Sequence, residues 1–180
     1  MKEHVISIRY ASALLSLAKS ENAIGEVRRS LEHFISIAHS QKGLLTWIAD
    51  EEIPRQKRLV LVREIAGASA IHPLVAKFIE VLINKDRIKH IYHIAKSFNA
   101  LADKEEGIVR GTVLTAALAD AEAAKQKLEN SLGKKLNKKV ILTLKEDPSL
   151  IGGVLLMIRD KVWDASIKRK LHEIKERLCQ

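Results

Sequence analysis

His90 and His93 stand at i and i+3 in a helical pattern, a spacing that puts two imidazoles on one face where they could hold a metal. No Cys, Asp or Glu is spaced to complete the set, so solvated surface histidines are the expected reading. Gly152-Gly153 could open a phosphate loop, but such a loop needs a helix N-terminus after it, often with Lys-Ser or Lys-Thr. Here the apolar run continues to Ile158 instead. Asp160 and Asp164 could form an acid–base pair. They flank a two-residue strand stub with no histidine beside them, and turn and N-cap duty accounts for both. No Ser-His-Asp or Cys-His arrangement stands out. The chain reads as a non-enzyme with no metal site and no cofactor.

Lys134, Lys135, Lys138 and Lys139 fall within seven residues. They could meet nucleic-acid phosphates, but no aromatic is interleaved to stack on bases. A solvated helix-to-strand loop is the favoured reading, and docking to an acidic partner the second. Net charge is +9. Residues 1–106 carry 16 basic and 13 acidic side chains, and residues 107–180 carry 15 and 9. A basic second half, joined by Arg159, Lys161, Lys168, Arg169 and Lys170, suggests an acidic partner surface.

The elements that must position these groups come in two kinds. Apolar residues recur at helical spacing through residue 102. Val5 to Ala18 forms a first helix; Ile24, Val27, Leu31, Phe34 and Ala38 mark a second; Leu44, Leu45 and Ile48 mark a short third. Pro54 starts a fourth that runs to Gly67, His72-Pro73 opens a fifth, and Ile88, Ile91, Ala95, Phe98 and Ala102 stripe a sixth. The charged stretch ending in Gly107 then separates this pattern from one of strand period, Val109, Gly111, Val113 and Thr115. An alanine-rich helix from Ala116 closes at Gly133, a strand covers Val140 to Leu144, and Leu150 to Ile158 reads as a buried strand carrying the Gly-Gly pair. Asp160-Lys161 reads as a hairpin turn before Val162-Trp163, and a helix capped by Asp164 or Ser166 carries Ile167, Leu171, Ile174 and Leu178. The expected fold is α+β: an N-terminal six-helix bundle over residues 1–105 and a small mixed α/β domain over residues 106–180.

A single cysteine, Cys179, rules out an intramolecular disulfide and fits a reducing compartment. Glu3 and Arg9 break any signal-peptide pattern, and no run is long enough to span a bilayer. Membrane association would have to come through another protein. One further feature is the apolar excess of the first and fifth helices. Tyr10, Ala11, Leu14 and Ala18, with Leu74, Phe78, Ile79 and Leu82, exceed what one buried stripe requires. Periodicity leaves two readings open: a closed bundle core, or a groove for an amphipathic partner helix, with Ala11 and Ala18 allowing close approach.

The C-terminal residues Asp147, Leu150, Gly152, Gly153, Asp160, Asp164, Ser166 and Leu171 resemble the signature of the delta subunit of F-type ATP synthases. The mitochondrial relative is the oligomycin-sensitivity-conferring protein. Arg9-Tyr10-Ala11-Ser12-Ala13-Leu14 resembles the opening of that family, and Phe78-Ile79, Val81-Leu82-Ile83 and Arg87 resemble its middle helices. Ala165, where glycine is frequent, and Trp163, where smaller apolar residues are common, depart from it. The resemblance implies a non-catalytic stator adaptor. Its N-terminal bundle would cap the catalytic head and grip, in the groove, the N-terminal helix of an alpha subunit. Its C-terminal domain would hold the C-terminus of the b subunit. It implies no nucleic-acid partner, no direct insertion into the membrane, and a place at the cytoplasmic face of a bacterial plasma membrane through the complex. The competing reading from charge alone is a small basic RNA-binding or ribosome-associated protein, which would lose affinity steeply as salt rises.

Overall fold

The computed structural model describes residues 2–41, 43–116, 121–158 and 161–171. Asp160, Ile174, Leu178 and Cys179 lie outside them. The fold is α+β, in two compact units, Met1–Ala102 and Asp103–Gln180. The division falls slightly before the expected 105/106.

The first unit contains α1 (Lys2–Ser20), α2 (Ile24–Ser40), α3 (Leu44–Ala49), α4 (Arg55–Ala68), α5 (Pro73–Asn84) and most of α6 (Ile91–Glu105). A 3-10 turn, Ile88–His90, precedes α6, so the expected sixth helix is broken at its start. Fully buried Leu14, Leu31, Phe34, Ile79, Leu82 and Phe98 form one core shared by α1, α2, α5 and α6. Helix α5 is apolar nearly all round because it packs centrally; beyond Pro73 at its start, only the line Lys77, Val81 and Asn84 is exposed. Beneath the α5 C-terminus, buried Arg58 of α4 donates to the Ile48 carbonyl at 3.4 Å and to Asp86 at 3.5 Å. One side chain thus ties α3, α4 and the turn after α5.

Helix endings differ from what the glycines suggested. Helices α4 and α7 (Ala121–Leu136) run through Gly67 and Gly133 rather than stopping there. The left-handed residue after the helix is Asn22, Ala70, Asp86 or Asn137, each with φ near +50°. At all four ends the next amide donates back to the carbonyl five residues earlier: Ala23 to Ala18, Ile71 to Ala66, Arg87 to Leu82 and Lys138 to Gly133. This is the Schellman closure, and Asn or Asp tolerates its left-handed position through local side-chain bonding.

The second unit is a four-stranded sheet in the order β2-β1-β3-β4. Its strands are β1 (Ile108–Thr115), β2 (Lys139–Glu146), β3 (Val154–Ile158) and β4 (Lys161–Asp164). β1 and β2 are parallel, which requires a crossover, and α7 supplies it. β3 lies antiparallel to both β1 and β4. Helix α7 covers one face, where Val109, Val113, Val140, Leu142, Leu156 and Ile158 form the core with Leu128 and Leu132. Gly111 sits in that face because a side chain there would come within 2.7 Å of Ile158 and 2.8 Å of Leu142. Glu129 of α7 accepts the Leu142 amide at 2.7 Å and so occupies a donor on the open edge of β2.

The expected buried strand from Leu150 is shorter than its apolar run. Pro148–Leu150 is a 3-10 turn, Ile151 is 68% exposed at φ 63°, and the strand begins at Val154. The glycine pair precedes the strand and makes no bulge in it. Gly153 has φ 80°, and a Cβ there would clash with the Ala165 carbonyl and lie 3.0 Å from the Ser166 Cα. The Ile167 amide donates to the Gly152 carbonyl at 2.9 Å, closing the approach from the other side.

Two stability results should follow. Gly67 is a helix-interior glycine with open space around its Cβ position, whereas Ala70 is held in the left-handed region. Gly67→Ala and Ala70→Gly should each raise unfolding free energy, by about 0.5–1 kcal/mol in urea titrations; a loss in either case would contradict the assigned helix end. Gly153→Val should lower the stability of the second unit by about 2 kcal/mol or more while leaving the first folded. Two-phase unfolding followed by circular dichroism reads this directly.

Candidate partner-binding surfaces

Ala11, Leu14 and Ala18 lie on one face of α1, and Ile79 and Leu82 on α5, all at 0% exposure. With Leu74 and Phe78, seven of the eight expected groove residues are core, so the small side chains of Ala11 and Ala18 serve packing within the unit. The reason is register: with Ser7, they occupy the α1 face turned inward. Leu74 and Phe78 are 9% and 8% exposed, and Tyr10 is half-buried. Tyr10 and Phe78 meet edge to face with ring centroids 6.4 Å apart, which marks where α1 and α5 adjoin.

The surface flanking that ring pair was missed by periodicity. Ile6, Tyr10, Ala13 and Leu17 follow one another at i, i+4, i+7 and i+11 and share a face of α1. Leu17 is 54% exposed, and Val81 of α5 is 45% exposed. The signal was present as a second apolar line on α1, one residue and so about 100° around the helix from the buried one. A hydrophobic stripe that wide blurs its own boundary between core and surface.

In the second unit the signature residues are built into two matching turns. Asp147 accepts the Ser149 amide at 3.0 Å, and Asp164 accepts the Ser166 amide at 2.8 Å. Ser166, 1% exposed, then accepts the Arg169 amide at 3.2 Å and caps the helix described over residues 167–171. Asp147 and Asp164 border one open cleft with Leu150, Leu155, Lys168 and Leu171. Of the eight signature residues, seven therefore fall in this small region, and Asp160 is outside the described residues. Ala165 and Trp163, the two departures from the resemblance, are both exposed, so neither disturbs packing.

The other candidates separate. His90 is 7% exposed in its 3-10 turn whereas His93 faces solvent, so they do not share a face. The expected pair of solvated histidines is thus half wrong, because the 3-10 turn shifts His90 out of the α6 register. Among the described residues no group of three metal-ligating side chains converges. Lys134 and Lys135 end α7 and Lys139 begins β2, so the expected loop shrinks to Asn137-Lys138; all four lysines are exposed. Basic side chains there complement the helix C-terminus. No described helix is long and apolar enough to cross a membrane.

The paired turns give a pH dependence of defined sign. Hydrogen bonds from the Ser149 and Ser166 side chains, then from their amides, hold the Asp147 and Asp164 carboxyls below the ordinary aspartate value, with Lys168 nearby adding to both. A group with a lowered folded pKa contributes fully above its unfolded value and loses that contribution as pH falls through the folded one. The second unit should therefore weaken below the ordinary aspartate value of 3.8. Asp164→Asn should flatten part of that fall in urea midpoints measured down the acid range; an unchanged slope would remove the turn from the account.

Comparison with known proteins agrees with this architecture. The family described as ATP synthase delta (OSCP) subunit matches residues 6–178. The ATP synthase subunit delta of Solidesulfovibrio magneticus is 37% identical over 183 residues, covering 99% of this chain and 98% of that protein. That of Geotalea uraniireducens is 33% identical, covering 98% and 97%. A chain in the structure of the Toxoplasma gondii mitochondrial ATP synthase hexamer superposes with a TM-score of 0.70 at 20% identity, covering 97% of each chain, and so shares the fold. The basic RNA-binding reading finds no support in any of these. The chain thus belongs to the ATP synthase delta (OSCP) subunit family and is a non-catalytic stator subunit of an F-type ATP synthase.

Proposed function

We propose that the two units divide the stator task. The first, read as a six-helix bundle on the catalytic head, receives an N-terminal helix of the alpha subunit; the second holds the C-terminus of the b-subunit stalk. So joined, the chain keeps the head from turning with the rotor, and ion flow drives nucleotide exchange in the head. Its place is then peripheral, at the cytoplasmic face of a bacterial plasma membrane. The observation that carries the first half is the exposed apolar line of α1 beside α5: Leu17 at 54% and Val81 at 45%, flanking the Tyr10–Phe78 pair. Exposed aliphatic side chains on two adjoining helices suit the apolar stripe of a third helix.

The mechanical demand favours this mode. A stator joint under torque needs slow dissociation and an affinity of nanomolar or better, roughly −12 kcal/mol. The unit's exposed ion pairs, such as Arg63–Glu80 at 2.7 Å, are screened by water and salt and contribute little. Apolar burial along a helix is additive over length and insensitive to salt.

A peptide of about twenty residues from the N-terminus of the alpha subunit, long enough for a stable bound helix, should bind the full chain. Leu17→Glu and Val81→Glu should each weaken it at least tenfold, about 1.4 kcal/mol, with helicity retained. Ala11→Glu should instead unfold the first unit, since that position has no exposure. Wild-type binding by both exposed-site variants would sink the assignment.

A further inference from the structure

The strand register defines a second face of the sheet, opposite α7. Thr143, Thr112, Met157 and Val162 are in register and form one row across all four strands. Lys145, Leu114, Leu155 and Asp164 form the next. Side chains alternate along a strand, so both rows lie on the face away from the Val113–Leu156 core. Met157 is 42% and Val162 56% exposed, while Leu114, Ile141 and Leu155 are half-buried. No described helix covers these rows; residues 167–171 border only their Leu155 end, through the cleft with Leu171. A sheet with one covered face normally turns polar residues outward on the other. This one turns aliphatic ones out.

Charge indicates what covers it. Lys139 and Lys145 are on this face, both exposed, at the two ends of edge strand β2. Six residues of strand separate them by about 20 Å, the length of about thirteen helical residues. Arg110, on the same face, already pairs with Asp103 at 2.6 Å. The acid on these rows, Asp164, is held in the Ser166 turn beside Lys168. The face is therefore apolar along its centre and cationic along its β2 edge. Among the described residues the unit's one aromatic ring, Trp163, is in register with Leu156 and so belongs to the opposite face. Those residues therefore place no stacking platform for bases on the open face.

We propose that this open face receives the peripheral stalk, and that the segment it receives is an acidic amphipathic helix. The helix lies with its apolar stripe on Leu114, Met157 and Val162 and its acids over Lys139 and Lys145. This rests on the stator reading of the second unit and adds to it the surface and the chemistry of the partner.

The test titrates a soluble fragment carrying the C-terminus of the b subunit into the full chain by calorimetry. Val162→Glu, and separately Lys139→Glu with Lys145→Glu, should each weaken binding at least tenfold. Leu136→Glu, at an exposed apolar position on α7, should leave it unchanged. Far-UV circular dichroism checks folding, and Thr143→Glu, exposed in the same row, replaces Val162→Glu if that variant unfolds. Equal binding by the face variants, with the wild type binding, overturns the face and leaves the stalk reading standing. No binding by the wild type overturns both. Loss only in Leu136→Glu places the stalk elsewhere. A single-stranded RNA that binds this face, while the stalk fragment ignores its lysines, would show the charge to serve a nucleic acid instead.

Discussion

Helix α5 has more apolar surface than any single neighbour can cover, and the first unit is arranged around that fact. Leu74, Val75, Phe78, Ile79, Leu82 and Ile83 are all buried, leaving the Lys77, Val81 and Asn84 line to water. Burying such a helix removes several side chains from water at about 1.5–3 kcal/mol each, which outweighs any polar contact in the unit. Helices α1, α2 and α4 adjoin α5, and α6 shares its core. Arg58 then fixes the turn where α5 ends, since its buried guanidinium reaches both Asp86, which also pairs with Arg55 at 3.5 Å, and the Ile48 carbonyl, whose bond a shorter or apolar group would forfeit.

The same demand explains why a protein without chemistry still presents a defined surface. Covering α5 completely would close the unit. On the proposed reading, leaving Val81 and Leu17 exposed costs solvation in the free chain that is recovered when a partner's apolar surface covers them. Proteins that bind by burial accept that cost at the binding surface and avoid it elsewhere. Ion pairs at the surface tune solubility and orientation but are too weakly held to carry sustained load.

The second unit is organised by close approach. A parallel β1–β2 pair needs the α7 crossover, and within the face that α7 covers Gly111 leaves the space that the Ile158 and Leu142 side chains fill. At the other end, Gly153 lets the backbone of the β3 entry touch that of Ala165-Ser166. The two Asp-x-Ser turns, Asp147 to Ser149 and Asp164 to Ser166, fix the segments on either side of that touch. The signature residues are thus a geometric device that sets where β3, β4 and the following helix begin, which is why they cluster without forming a reactive site.

Much of this was legible from residue order alone. Apolar period separated the helical from the sheet-forming half, because 3.6 and 2 are different repeats and each persists for many residues. The Asp147-Pro148-Ser149 turn and the Ser166 cap were readable because their bonds are local, made within two or three residues. The resemblance at three points along the chain identified the family, and with it the stator role. What the sequence could not decide was which apolar residue faces in. Ala11, Leu14 and Ala18 are core and Leu17 is surface, and only the packing of α5 against α1 draws that line. Helix ends escaped for a related reason: Gly67 and Gly133 looked like stops, yet a helix ends where its next residue can turn left-handed and still close its carbonyls, and Ala70 and Asn137 do so here. The open face of the sheet is tertiary in the same sense. Leu114 lies far along the chain from Leu155, Met157 and Val162, and only strand register sets it beside them. Local bonds are written in neighbouring residues; faces are made when distant segments meet.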